Sequence, residues 1–283
     1  MTDPRPTNTP AALSRRALSR GAAWSVPALA VASVAPALAL SLTGCATMLW
    51  TKTTLSGAQG TSGVRTGTIT LASGDKVTVT VSQNRTGGSR SYDQALTYDG
   101  TNGDFSATSA GAQRAGTAGA GANKDAKYVV DPSTTSSVLT LNQQTSSSGS
   151  RASETLTFSF KDSTGALVTP ETMSFNIYDI TMQDKSIISS TKANQRYTDQ
   201  VSFANATMTT TNHGGVPATY TQTATSLTGT SQSTATGNYV DVVLTPTGSG
   251  NVTLTYANAN TYGPLTSSFN QQYIGIGDLE VCF

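Results

Sequence analysis

Four aspartates offer the best-defined candidate chemistry in this chain: Asp179, Asp184, Asp199 and Asp278. Two of them sit where a run of alternating apolar residues slips by one place. After Met173, Phe175 and Ile177 the next apolar residue is Ile180, out of phase across Tyr178-Asp179. After Ile274 and Ile276 it is Leu279, out of phase across Gly277-Asp278. A slip of that kind predicts a β-bulge, where the strand bends and a side chain is re-aimed. If the two bulges share one end of the fold, Asp179 and Asp278, with Asp184 or Asp199 and backbone carbonyls, form an oxygen-only Ca²⁺ site, because calcium takes several hard ligands and bulges free carbonyls. The competing reading is that these aspartates end strands and face water, since the Asp-x-Asp-x-Asp-Gly spacing of a dedicated calcium loop is absent. No other cofactor is suggested.

Catalysis finds little support. The sole histidine, His213, lies in Thr211-Asn-His-Gly-Gly215, a turn by composition, whereas a hydrolytic triad needs its histidine fixed between a nucleophile and an acid. One histidine and two distant cysteines cannot supply the usual zinc ligands. Carboxylate pairs such as Asp99 with Asp104, or Asp179 with Asp184, carry no spacing that marks glycoside hydrolysis. No glycine-rich loop follows a strand and opens a helix, which argues against a nucleotide site. The chain therefore reads as non-catalytic. Sugar binding is the alternative, because Tyr178, Tyr197, Tyr220, Tyr239, Tyr262 and Tyr273 stand in polar settings where aromatic platforms recognise glycans. Edge or core packing explains a scattered set equally well.

The leader sets the compartment. Arg15-Arg16, with Arg20 close by, precedes an uncharged apolar run that extends to Leu42, the pattern of a twin-arginine export signal. Pro27 and Pro36 interrupt the run, and Ala37-Leu38-Ala39 supplies a small-x-small cleavage pattern, so a signal peptide over residues 1–39 is preferred to a membrane span. Leu42-Thr43-Gly44-Cys45 also matches a lipobox, which would anchor the chain through a lipidated Cys45. The competing fate is a disulfide between Cys45 and Cys282, since an oxidising compartment and the neighbouring termini of a compact domain both favour pairing. Cleavage removes Arg5, Arg15, Arg16 and Arg20 with Asp3, turning a formal charge of +1 into about −2. Such a surface has no footprint for nucleic acid or an anionic membrane.

The elements that must position these residues are strands. Charged residues are only 12% of the chain, and Thr, Ser, Gly and Asn surround Val, Ile, Leu, Phe and Tyr, a composition that favours sheets and turns. Ile69 and Leu71, then Val77, Val79 and Val81, flank Ala72-Ser73-Gly74-Asp75 and predict a hairpin. The same period of two recurs at Leu156-Phe158-Phe160, Val201-Phe203, Val240-Val242-Leu244 and Val252-Leu254-Tyr256. The fold class is all-β, an antiparallel β-sandwich of jelly-roll-like character over residues 40–283. Residues 106–125 and 143–153 read as loops, and the second marks either a sub-boundary or an insertion within one sandwich. Leu279, Val281 and Phe283 form a dry face, so Glu280 and Cys282 point away from the core.

Glu154-Thr-Leu-Thr-Phe-Ser-Phe160, Phe175-Asn-Ile-Tyr-Asp-Ile180, Tyr197-Thr-Asp-Gln-Val201 and Tyr273-Ile-Gly-Ile-Gly-Asp-Leu-Glu-Val-Cys-Phe283 resemble Tat-exported, surface-associated β-sandwich proteins of high-GC Gram-positive bacteria. The leader residues Arg15-Arg16 and Gly21-Ala-Ala-Trp-Ser-Val-Pro27 resemble the same group. The resemblance implies a location and a fold and brings no catalytic activity. The expectation is an exported cell-envelope sandwich with a structural or adhesive role, whose partner is an envelope protein or glycan. A carbohydrate-binding module, Ca²⁺-dependent or not, is the alternative.

Overall fold

The computed structural model describes residues 42–58, 60–86, 105–109, 135–144, 153–183, 197–213, 220–231, 239–248, 250–259 and 271–283. The leader, including Arg15 and Arg16, lies outside them, as do Asp184, Tyr262 and most of 106–125. Leu42–Phe283 forms one compact unit. Its strands begin with β1 Cys45–Met48, β2 Thr54–Ser56, β3 Val64–Thr70, β4 Lys76–Thr86, β5 Ser106–Ser109, β6 Ser137–Gln144, β7 Ser153–Lys161 and β8 Thr172–Tyr178. They continue with β9 Met182–Gln183, β10 Tyr197–Ala204, β11 Ala206–His213, β12 Tyr220–Gln222, β13 Ser226–Gly229, β14 Tyr239–Pro246, β15 Val252–Asn258, β16 Gln271–Gly277 and β17 Leu279–Cys282.

These strands make two antiparallel sheets packed as a sandwich. One runs β12-β13-β10-β15-β7-β4-β3-β2, with β9 beside β10; the other holds β1, β17, β8, β16, β6, β5, β14 and β11. Alternation decides which side chains go inside. Val77, Val79 and Val81 on β4, Leu156 and Phe158 on β7, and Leu254 and Tyr256 on β15 are fully buried, and they meet Ile177, Val242, Leu244 and Ile276 within one apolar core. Each such side chain contributes roughly 1.5–3 kcal/mol by leaving water. The β3–β4 hairpin closes where expected, with Gly74 at φ 91° in its turn. Strands on either side of residues 143–153 share both sheets: β4 pairs β7, and β6 pairs β16.

Two readings change. Residues 106–109 form β5, hydrogen-bonded to β6, because an edge strand needs few large apolar residues when it is paired along one side. The slip at Tyr178-Asp179 is not a bulge within a ladder. Asp179 takes φ 68°, a left-handed conformation that aspartate tolerates through its short polar side chain, and it ends β8. The turn returns Ile180 to the core, 3% exposed.

The slip at Gly277-Asp278 is a bulge. β8 pairs with β16 as Ile276↔Ile177, then with β17 as Glu280↔Ser174, so the register shifts by one across Asp278. Beyond the bulge the sheet divides, with β1 continuing it beside β17 and β6 beside β16. Trp50, in a short 3₁₀ turn after β1, fills the division: it is fully buried, and its Nε1–H donates to Gly277 O at 2.6 Å. At the far end of β17, Cys45 and Cys282 face each other in the β1–β17 register and form a disulfide. The bridge joins the first and last strands outside the apolar core, on the face opposite the inward Leu279 and Val281. Among the described residues no helix is long and apolar enough to cross a membrane.

Candidate functional site

The outward side chains around the bulge enclose a cleft of about 630 Å³ on the outer face of the eight-stranded sheet, within the size range of small-ligand sites. Strand register builds it. Ser174 on β8 lies between Glu280 of β17 and Val243 of β14, and Asn176 lies opposite Asp241. Ser174 Oγ–H donates to Glu280 Oε2 at 3.0 Å, and Asn176 Nδ2–H donates to Asp241 Oδ1. Val243 is 38% exposed, one of the few large apolar side chains on the described surface. Among the described residues, three carboxylates and no lysine or arginine line the cleft, and these groups favour ligands that donate hydrogen bonds or carry positive charge.

Asp278 has a structural task in the wall of this cleft. Its Oδ2 accepts the backbone N–H groups of Ser136 at 2.6 Å and Ser137 at 3.2 Å, and Oδ1 accepts the Ser137 hydroxyl. In return, Asp278 N–H donates to Thr135 Oγ1 at 2.8 Å. Ser137 Oγ also accepts the Trp50 N–H at 2.7 Å. The carboxylate therefore starts β6 at the point where the sheet divides, with three donors on its two oxygens.

Asp179 and Asp199 come together elsewhere, at the end of β8. Thr181 lies between them: its Oγ1 is 3.5 Å from Asp179 Oδ1 and 3.2 Å from Asp199 Oδ2. Asp199 is 1% exposed, and it accepts Thr181 N–H at 3.1 Å and the Tyr256 hydroxyl at 2.8 Å. Burial pushes its carboxyl up to about 7 despite those donors. Burial, then the adjacent Asp199 charge, pushes Asp179 well above the usual carboxylate range, with the Thr181 hydroxyl opposing. The residue as a whole keeps a partly accessible edge, while its carboxyl group is enclosed. The structure thus pairs Asp179 with Asp199 and gives Asp278 separate partners. Among the described residues no three His, Cys, Asp or Glu side chains are grouped to hold a metal ion.

Of the aromatic candidates, three have described side chains. Tyr178 is fully buried and stacks against Tyr239, ring centroids 5.4 Å apart. Tyr220 is packed against the core at the sheet margin. Tyr197 and Tyr273 lie on β10 and β16, whereas Tyr262 lies outside the described residues. His213 closes β11 opposite Tyr239 instead of sitting in a turn.

The inward face of the nine-stranded sheet also holds polar groups that the sequence reading missed. Arg65 is 7% exposed, donates through Nε and Nη2 to Phe105 O at 3.0 and 2.8 Å, and stacks over the Phe105 ring at 5.4 Å. Burial lowers its pKa to about 10, which leaves it a cation at neutral pH. Buried Gln83 donates to Glu154 Oε1 at 2.7 Å. Their inward alternation phase was the only available signal, and it reads as ordinary strand polarity until the long-range partners are known.

No protein-family model matches the chain, and no curated protein does. Among solved structures it is similar to the adhesin domain of PrgB from Enterococcus faecalis bound to DNA, at 11% identity over 78% of this chain and 68% of that one, with a TM-score of 0.38. At that distance the likeness carries nothing about ligand or activity.

Proposed function

We propose that the protein is an exported, non-catalytic surface sandwich whose outer cleft engages an envelope partner in a structural or adhesive role. The observation that carries this reading is the cleft beside the bulge. Its walls are strand side chains fixed by register, on a sheet whose end is stapled by Cys45–Cys282, and a rigid scaffold of this kind preserves a recognition surface. Asp278 is held by Ser136 and Ser137, which suits a wall better than a proton-transfer group. The twin-arginine leader and the resemblance to actinobacterial surface sandwiches support delivery to the cell exterior.

A carbohydrate partner is the second reading, favoured by the Asp241, Glu280 and Asn176 groups that can meet sugar hydroxyls. The test compares retention of the wild-type protein and Ser174→Trp on envelope preparations, a glycan array and duplex DNA. Ser174 faces outward, so a tryptophan there fills the cleft without entering the core. Envelope retention lost in Ser174→Trp supports the proposal. Retention unchanged by Ser174→Trp, or binding to DNA alone, contradicts it, and selective glycan capture assigns the partner to carbohydrate.

A further inference from the structure

The lipobox match Leu42-Thr43-Gly44-Cys45 supplies the first residues of the compact unit, and the fold uses three of its four residues. The Leu42 side chain packs against the apolar core. Gly44 takes φ 103°, a conformation that glycine adopts freely and that strains a residue with a Cβ. Gly44 N–H donates to Phe283 O at 3.0 Å, and Gly44 O accepts Phe283 N–H at 3.0 Å. This is the reciprocal exchange of a hydrogen-bonded antiparallel pair. Cys45 and Cys282 occupy the next position of the same ladder and are joined through sulfur. Phe283 is held in turn, with its ring edge towards Phe160 and the centroids 6.2 Å apart.

The two fates of Cys45 make opposite demands on these atoms. Lipidation bonds Cys45 Sγ to a diacylglyceryl group, and water then cleaves the Gly44–Cys45 peptide bond. That route denies Sγ to Cys282 and discards Leu42–Gly44, with its core contact and both bonds to Phe283. A cut after Ala39 hydrolyses the Ala39–Leu40 bond instead and keeps them all. The two thiols then give two electrons and two protons to a disulfide-exchange oxidant of the exported compartment. Core packing, backbone conformation and the bridge thus account for the leucine, the glycine and the cysteine. We propose that Leu42–Cys45 is a clasp that closes the sandwich and not a lipidation signal: the leader is cut N-terminal to Leu42, and Cys45 carries no lipid. The proposal rests on the reading of an exported chain, and it leaves attachment to the envelope to the folded surface.

The test makes the full chain in a bacterium with twin-arginine export and reads the N-terminal peptide and intact mass of the exported product. The product is expected to begin N-terminal to Leu42, at Leu40 for the Ala37-Leu38-Ala39 pattern, with no acyl mass and two hydrogens fewer than the dithiol. A product that begins after Leu42, or that carries a diacylglyceryl group, overturns the proposal. A companion measurement compares leaderless chains 40–283 and 45–283, oxidised alike. Loss of Leu42–Gly44 is expected to lower the melting temperature by about 4 °C or more, through lost apolar burial and two lost ladder bonds. Equal melting temperatures overturn the clasp. Chain kept in the cytosol with residues 1–39 attached contradicts the export reading, and the melting comparison then decides the clasp by itself.

Discussion

Gly229 on β13 lies against Thr181 so closely that a Cβ on it would fall 2.2 Å from the Thr181 carbonyl oxygen. That contact lets the inter-sheet crossing sit flush on the nine-stranded sheet, and the obstacle is backbone, which cannot rotate aside. Gly229→Ala is therefore expected to cost about 3 kcal/mol or more, the upper end for overpacking. Urea unfolding against wild type measures it, and a change below about 0.5 kcal/mol would show that the crossing yields.

The Cys45–Cys282 bridge spans 237 residues, and closing so long a loop in the unfolded chain is worth up to about 5 kcal/mol in the chain-entropy picture. Replacing both cysteines with alanine should lower stability in that direction while the sandwich still forms, because the bridge lies outside the apolar core. Intact mass of the protein made in an exporting bacterium should show the loss of two hydrogens. A diacylglyceryl mass on Cys45 would mean that lipidation, not the bridge, is its fate.

Asp278→Ala removes the acceptor for two backbone amides and the Ser137 hydroxyl. A cost of about 2–3 kcal/mol follows, since hydrogen bonds to a charged group are lost together. Hydrogen exchange should quicken first at the start of β6 and around Trp50. Uniform quickening across both sheets would deny Asp278 this local role.

Asp199 gives the fold a pH dependence. Its folded value of about 7 lies above the unfolded one near 4, so the native state binds the extra proton between those limits. The contribution is fully present below about pH 4, falls as pH rises, and is gone above about 7, with a ceiling of about 4 kcal/mol. Melting temperatures across this range should decline in wild type and decline less steeply in Asp199→Asn, where the buried Asp179 carboxyl still binds its proton more tightly than in the unfolded chain. A wild-type profile that rises throughout would contradict the assignment.

The framework was legible because it rests on local alternation: Val77-Val79-Val81 and Leu254-Tyr256 announce their buried face within a few residues. The bulge at Asp278 was legible for the same reason, as a break in that period. Its partners were not, since Ser136 and Ser137 are more than 140 residues away in sequence. Arg65 and Glu154 occupy inward positions and look like ordinary strand polarity until Phe105 O and Gln83 are brought to them by long-range pairing. Asp179 and Asp199 were singled out as acids. That they meet across one threonine hydroxyl depends on a left-handed turn that composition does not announce.

The cleft beside the bulge is the proposed partner site, and backbone chemical-shift mapping of the wild-type protein against soluble envelope fragments tests it most directly. The predicted result is saturable shifts confined to Ser174, Asn176, Asp241, Val243 and Glu280, absent in Ser174→Trp. Saturable shifts elsewhere on the sandwich, with these five residues unmoved, would contradict it.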